Sequence, residues 1–203
     1  MATDARERIL EAACDLIASD GIDDVRIARV ATRAGASTAL VHHYFSTREE
    51  LLEQALVHSF ENAGSERFTE EPDGEPSPSR GLARAIAASL PFPGEQERDW
   101  TLWVELWLRA VRDPQLRPLA ADLYGRYREW FATFITAGLD NGDFTSDRSA
   151  EDLADLAVGL VDGLGIRALV RDPQMDTERA RRTVAEQLGA ALGVEADALL
   201  VTD

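Results

Sequence analysis

Apolar positions recur at three- and four-residue spacing along almost the whole chain, the pattern of helices that each bury one face. Ile9, Leu10, Ala13, Leu16 and Ile17 predict an amphipathic first helix ending at Gly21. Ile27, Val30, Ala31 and Ala34 predict a short second helix stopped by Gly35. Ser37 then stands where an N-cap belongs, ahead of Leu40, Val41, Tyr44 and Phe45. Thr47 and Glu50 form a capping-box signature that opens a longer helix through Leu51, Leu52, Ala55, Leu56 and Phe60.

The pattern breaks over 69–79, a stretch with three prolines and almost nothing to bury, which reads as a mobile loop. It resumes in a helix over 80–90 that ends before Pro91-Phe92-Pro93-Gly94. A helix over 95–111 follows, with Trp100, Trp103, Val104, Trp107, Leu108 and Val111 on one face. Asp113-Pro114 starts the next, which runs to about Leu139 before Asn141-Gly142. Ser149 caps a helix from Ala150 to about Arg171, and Asp176 caps another from Thr177 to about Leu192. No stretch alternates with period two, and no internal repeat is visible. The expected fold class is all-α, about nine helices, with a small N-terminal unit and a larger C-terminal bundle.

Composition narrows this picture without changing it. A chain of 203 residues, 45% apolar, suits one large or two small globular domains. A lone cysteine, Cys14, excludes an intramolecular disulfide framework and fits a reducing compartment. The first residues turn charged at once, without the apolar run of a signal peptide. The longest apolar segment, 153–170, is interrupted by Asp155, Asp162 and Arg167, so no membrane span is expected. The expectation is a soluble cytoplasmic protein.

Charge is more informative. The chain carries a formal −16, yet between Val25 and Arg48 it has no Asp or Glu, although 37 occur elsewhere. That window holds Arg26, Arg29, Arg33 and Arg48, with His42 and His43 beside them. A polyanion facing it is the simplest reason, since carboxylates against DNA are repelled. Uncharged short helices packed into a core are the plain alternative. All 21 basic residues are arginine, so any phosphate contact is made by a planar fork that can hold two oxygens together.

Two short helices joined by Ala34-Gly35-Ala36 and braced by a third are the makings of a helix-turn-helix, whose second helix enters the major groove. Ser37 and the free N–H groups of that helix's first turn form a phosphate site. The full run is Gly21, then Ile27-Ala28-Arg29-Val30-Ala31-Thr32-Arg33-Ala34-Gly35-Ala36-Ser37, then His43-Tyr44-Phe45 and Thr47-Arg48-Glu49-Glu50-Leu51-Leu52. With these residues in register, the chain over about 6–57 resembles the TetR family of transcriptional regulators. The resemblance implies a three-helix DNA-binding domain, here 1–46, and a ligand-binding and dimerising helical domain, here 47–203. It implies no enzymatic activity and no cofactor. It implies a homodimeric repressor, bound to a palindromic double-stranded operator and released by a small molecule.

Carried over position by position, the resemblance makes Ser37 to Tyr44 the recognition helix. Thr38 and Ala39 would face base edges at its tip, and His42 and His43 would contact phosphates or bases. Arg48, where the family's pattern usually has lysine, would grip a phosphate. Arg26 and Arg29 lie where the preceding helix meets the DNA backbone. Arg26 stands where the family often has a Ser or Thr cap, Ala28 where it often has arginine and His42 where it often has tyrosine. Leu40, Val41 and Phe45 read as hydrophobic support; Tyr44 stands in both sets. A metal site at His42, His43 and His58 is not expected, because adjacent helical residues point about 100° apart and no further ligand follows at the right spacing.

The C-terminal run Trp103-Val104-Glu105-Leu106-Trp107, Asp113-Pro114-Gln115-Leu116-Arg117 and Tyr127-Arg128-Glu129-Trp130 resembles the BetI-like branch of that family. Trp103, Trp107 and Trp130, with Trp100, read either as core or as a cage that holds a cation with Glu105 or Asp162. Asp162 interrupts an apolar run and needs a partner: a ligand, an arginine such as Arg167, or a residue across a dimer interface. Gly159, Gly163 and Gly165 each weaken a helix, and close helix–helix approach at a dimer seam would compensate. The seam expected from the resemblance is a four-helix contact of the last two long helices. Two other readings remain at this stage. One is a helical small-molecule sensor or carrier that does not bind DNA; the other is an all-α enzyme, for which no nucleophile–base pair is visible.

Overall fold

The structure, a computed structural model, describes residues 4–68 and 77–200, the side chains of 61–68 apart. The described residues form nine α-helices, two 3₁₀ turns and no strand. The helices are α1 Ala5–Asp20, α2 Ile27–Arg33, α3 Thr38–Tyr44, α4 Arg48–Phe68, α5 Pro78–Ala88, α6 Glu95–Arg112, α7 Arg117–Asn141, α8 Ala150–Leu169 and α9 Thr177–Leu192. The all-α expectation holds. The expected mobile loop lies mostly outside the described residues. Its last three open α5: Ser77 is the cap, accepting from the Arg80 N–H, and Pro78 takes the first helical position, where a missing N–H is harmless.

One other helix start differs from expectation. Residues 113–116 form a turn, in which the Asp113 carboxylate accepts from the Gln115 N–H at 2.9 Å, and α7 begins at Arg117. Pro118 explains the delay. A helix begun at Pro114 would place Pro118 deep enough for its ring to clash with a carbonyl one turn back, whereas in a helix begun at Arg117 it falls in the first turn. The remaining caps act where the sequence put them. Ser149 accepts from Asp152 N–H at 3.1 Å, Asp176 accepts from Arg179 N–H at 2.7 Å, and left-handed Gly193 closes α9.

The chain falls into two compact units: Met1–Glu66 with Thr101–Leu116, and Arg67–Trp100 with Arg117–Asp203. In the first, α1, α2 and α3 pack on one another around fully buried Ile9, Leu10, Ile17, Val30, Val41 and Phe45. Cys14 is buried there, its thiol donating to the Ala55 carbonyl at 3.0 Å. In the second, α7, α8 and α9 pack in sequence, and α5 lies against α7 and α9. Leu123, Phe131, Ile135, Leu153, Val161, Val184 and Leu188 are its fully buried centre.

Three glycines set how closely the second unit packs. A side-chain carbon at Gly81 would enter the ring of Phe134, one at Gly138 the ring of Phe144, and one at Gly165 the ring of Trp100. Trp100 is itself held, its indole N–H donating to the Ser89 carbonyl at 3.0 Å. We expect Gly165→Ala to lower the urea midpoint, because overpacking costs about 1–3 kcal/mol and outweighs the ~1 kcal/mol that alanine adds to a helix. Gly125→Ala on α7, where the added carbon meets nothing, should raise it. A midpoint unchanged by Gly165→Ala would mean that the indole moves aside freely.

Candidate nucleic-acid interface and ligand site

The α2–α3 connection is a helix-ending turn with two defined bonds. Ala36 N–H reaches Ala31 O at 2.8 Å and Gly35 N–H reaches Thr32 O at 3.2 Å, with Gly35 at φ 62°. A left-handed residue is what this turn requires, and glycine adopts it without a steric penalty. Ser37 then caps α3 by accepting the Leu40 N–H at 3.1 Å. Along α3, Val41 and, just beyond it, Phe45 are fully buried, while Thr38, Ala39, His42 and His43 are exposed. Leu40 and Tyr44 are half-buried, and Tyr44 meets His43 edge-on. The helix therefore presents Thr38, Ala39, His42 and His43 together, and rests on Val41 and Phe45.

The arginines of the acid-free window have partners. Arg29 pairs with Asp20, and Arg33 with Asp15 at 2.7 Å; both acids stand on α1, before the window begins. The Arg29 guanidinium, with help from the Ser19 side chain, holds the Asp20 carboxyl below its ordinary range. These are exposed pairs, which hold weakly and exchange readily for a stronger anion. Arg26, at the cap position of α2, donates to the Asp23 carbonyl at 2.7 Å. The capping box at α4 forms, with Glu50 N–H on Thr47 Oγ1 at 3.0 Å and Glu50 Oε2 accepting the Ser46 N–H at 2.8 Å.

Arg48, expected to grip a phosphate, is engaged within the chain in the absence of DNA. Its Nε donates to the Val25 carbonyl at 2.7 Å, and its Nη2 to the carbonyls of Ile22 at 2.6 Å and Asp23 at 3.1 Å. Its Nη1 lies 3.5 Å from the Glu49 carboxylate. Nothing in the spacing of the residues announces this, because the acceptors are main-chain oxygens.

The ligand candidates divide between the units. In the first, Trp103 stacks on Trp107 with centroids 5.5 Å apart and meets Phe60 at 4.8 Å. On the same helix, burial and the charge of Asp23 push the Glu105 carboxyl up, against the opposing pull of Arg109. In the second unit, Trp130 belongs to an aromatic band on α7 with Tyr127, Phe131 and Phe134. Within the chain the partner of Asp162 is Tyr124, whose hydroxyl donates to Asp162 Oδ2 at 2.8 Å. Arg167 is turned to Asp172 instead, through Nε and Nη2, both at 2.8 Å. Gly165 follows Asp162 by three residues, so the indole of Trp100 seated on it lies one helical turn from the Asp162–Tyr124 pair. Trp130 is six residues beyond Tyr124, roughly 9 Å of helix rise away.

Comparison with known proteins agrees with this geometry in both halves. Residues 9–55 match the bacterial regulatory proteins of the tetR family, and residues 78–193 match the C-terminal part of BetI-type transcriptional repressors. The HTH-type transcriptional regulator BetI of Paraburkholderia xenovorans is 26% identical over 189 residues, covering 92% of this chain and 93% of that protein. A crystal structure from Saccharomonospora viridis, described as a transcriptional regulator in complex with choline, is 31% identical with a TM-score of 0.81, covering 90% of this chain and 94% of that one. A Rhodococcus protein described as a TetR-family regulator is 28% identical with a TM-score of 0.79, covering 93% and 98%.

Burial pushes the Asp162 carboxyl up from 3.8 to about 6, against the opposing pull of the Tyr124 hydrogen bond. The folded value lies above the unfolded one, so the folded chain holds the extra proton. That contribution to stability is complete below about pH 3.8 and is lost as pH rises through about 6. Asp162→Asn, neutral at every pH, should therefore be more stable than the parent above that window, by on the order of 2 kcal/mol. The difference should vanish on the acid side. Urea unfolding at fixed chain concentration across this range is the measurement, and a difference independent of pH would contradict the assignment.

Proposed function

The chain belongs to the TetR family of bacterial transcriptional regulators, with a BetI-type C-terminal part, and we propose that it works as a homodimeric, cation-responsive repressor in the cytoplasm. The enzymatic reading is set aside by the family, whose members are regulators. Among the described residues no helix is long and apolar enough to cross a membrane. In this reading residues 1–46 bind the operator and 47–203 carry the effector site and the dimer contact. The observation that carries it is the exposed row Thr38, Ala39, His42 and His43 on a helix whose direction is fixed by the Gly35 turn.

The operator contacts follow from exposure. Thr38 and Ala39 read base edges at the tip of α3, Ser37 and the first-turn N–H groups meet a phosphate, and His42, His43 and Tyr44 extend the contact along the groove. Arg26 and Arg29 meet the backbone from α2, Arg29 exchanging Asp20 for a phosphate oxygen. Operator affinity should fall steeply with salt, with a log–log slope of about −0.9 for each phosphate neutralised. A flat response on fragments of the chain's own promoter region would favour the DNA-free sensor instead. Thr38→Ala should change the ranking among operators; an equal loss on every site would move Thr38 to the phosphates.

The dimer contact is proposed on α8 and α9. Gly159 and Gly163 stand one turn apart on the exposed side of α8, and a side-chain carbon at either meets nothing within the chain. Two glycines in a helix interior cost up to ~1 kcal/mol each, and the close approach of a second copy offsets that. Gly163→Leu should shift sedimentation from dimer towards monomer at micromolar concentration; a parent chain that sediments as a monomer would overturn this part.

For the effector we propose a small quaternary or primary ammonium compound held in the second unit by Asp162, Tyr124 and Trp100. A carboxylate beside an indole attracts such a cation, and the similar Saccharomonospora viridis protein was crystallised with choline. Choline and tetramethylammonium are the probes for calorimetry. Binding that weakens on the order of tenfold or more in Asp162→Asn, with Trp103, Trp107 and Trp130 variants run alongside, supports the site. No heat with either cation removes it.

A further inference from the structure

We propose that Arg48 is a positioning residue for operator binding: by gripping the carbonyls of Ile22, Asp23 and Val25 it closes the α2–α3 segment into a loop and places α3, rather than neutralising a phosphate. This rests on the DNA-binding reading above and departs from it at one residue.

Four observations converge on the carbonyls that precede α2. Arg48 delivers three hydrogen bonds to them from two nitrogens. Arg26 adds a short bond to Asp23 O and a longer one, 3.5 Å, to Val25 O, so that Asp23 O takes one bond from the residue capping α2 and one from the first residue of α4. The side chain of Arg48 is only 24% exposed, and its remaining nitrogen faces Glu49. Finally, Arg48 opens α4, where the positive end of the helix dipole disfavours a cation. Something local must hold the charge there, and the carbonyl ends around Ile22–Val25 do so.

The consequence lies in what the clasp encloses. Val25 and Arg48 are the two ends of the acid-free window, and the Nε to Val25 O bond joins them. The chain between them is α2, the Gly35 turn, α3 and the Thr47 cap. Recognition helix and supporting helix thus form one closed segment, with its entry and exit tied together. A displacement of the first turn of α4 is passed to both ends of that segment at once. A phosphate contact would use the guanidinium fork for an outside anion; here the fork is filled from within.

Lysine separates the two roles. Its ammonium carries the same charge, so it serves a phosphate well, but a compact point charge on a flexible stem does not reproduce a planar fork on three carbonyls. Arg48→Lys and Arg48→Ala are therefore compared with the parent on one fragment of the promoter region that the parent binds, over a salt series. Amide exchange at residues 22–31 of the full-length proteins provides a readout independent of DNA. The expected result is affinity on the order of tenfold weaker in both variants, an unchanged salt slope in Arg48→Lys and Arg48→Ala, and faster exchange in both. The idea is overturned by a slope shallower by about 0.9 per protomer in Arg48→Ala, with Arg48→Lys binding like the parent. Native exchange in both variants would overturn it equally. If the parent itself binds no DNA, the operator reading fails, while the exchange data still decide whether the clasp exists.

Discussion

Two hydrogen bonds across the turn at residues 34–36, Ala36 N–H to Ala31 O and Gly35 N–H to Thr32 O, determine where α3 leaves α2. The bond pattern requires a left-handed residue, and Gly35 supplies one. Everything at the DNA-binding end inherits its direction from that turn. Val41 and Phe45 fall inward onto α1 and α2, and Thr38, Ala39, His42 and His43 fall outward. Had α3 left at another angle, the same sequence would put its apolar side in water.

Electrostatics adds a second layer. The window without acids is real in sequence, but in space α1 lends it Asp15 and Asp20, and Arg29 and Arg33 are paired in the DNA-free chain. In the operator complex proposed above, Arg29 would trade its weak exposed pair for a phosphate contact, with the Asp20 carboxylate left close by. The acidic remainder of the chain acts over a Debye length of roughly 8 Å in physiological salt, so its repulsion is a matter of orientation more than of binding strength.

The helices were legible in the sequence wherever a capping side chain and a hydrophobic period agreed, as at Ser37, Ser149 and Asp176. The start of α7 was less so, because Asp113-Pro114 carries a start signal that Pro118, four residues later, overrides. On the operator side, the exposed positions Thr38, Ala39, His42 and His43 follow from helical period alone, since Val41 and Phe45 mark the buried side. What spacing could not show were partners brought together by tertiary packing. Asp162 was recognised as needing one, yet Tyr124 lies 38 residues away on another helix. Arg48 was read as a phosphate contact, and its bonds to the Ile22, Asp23 and Val25 carbonyls were not foreseen because main-chain oxygens have no signature in a sequence. Nor does periodicity reveal that α6 divides between the two compact units.

The pairs Gly81–Phe134, Gly138–Phe144 and Gly165–Trp100 restrict how this chain can diverge. A side chain at any of these glycines is excluded while its ring stays, and a smaller residue in place of the ring leaves a void beside a bare backbone. Neither half can drift alone without passing through a weakened intermediate. Change at these places has to arrive as coupled double replacements, and Trp100, locked to Gly165, carries that constraint to one helical turn from Asp162. In the effector site proposed above, the carboxylate and the hydroxyl are then freer to be replaced than the indole, which can change only together with the glycine beneath it.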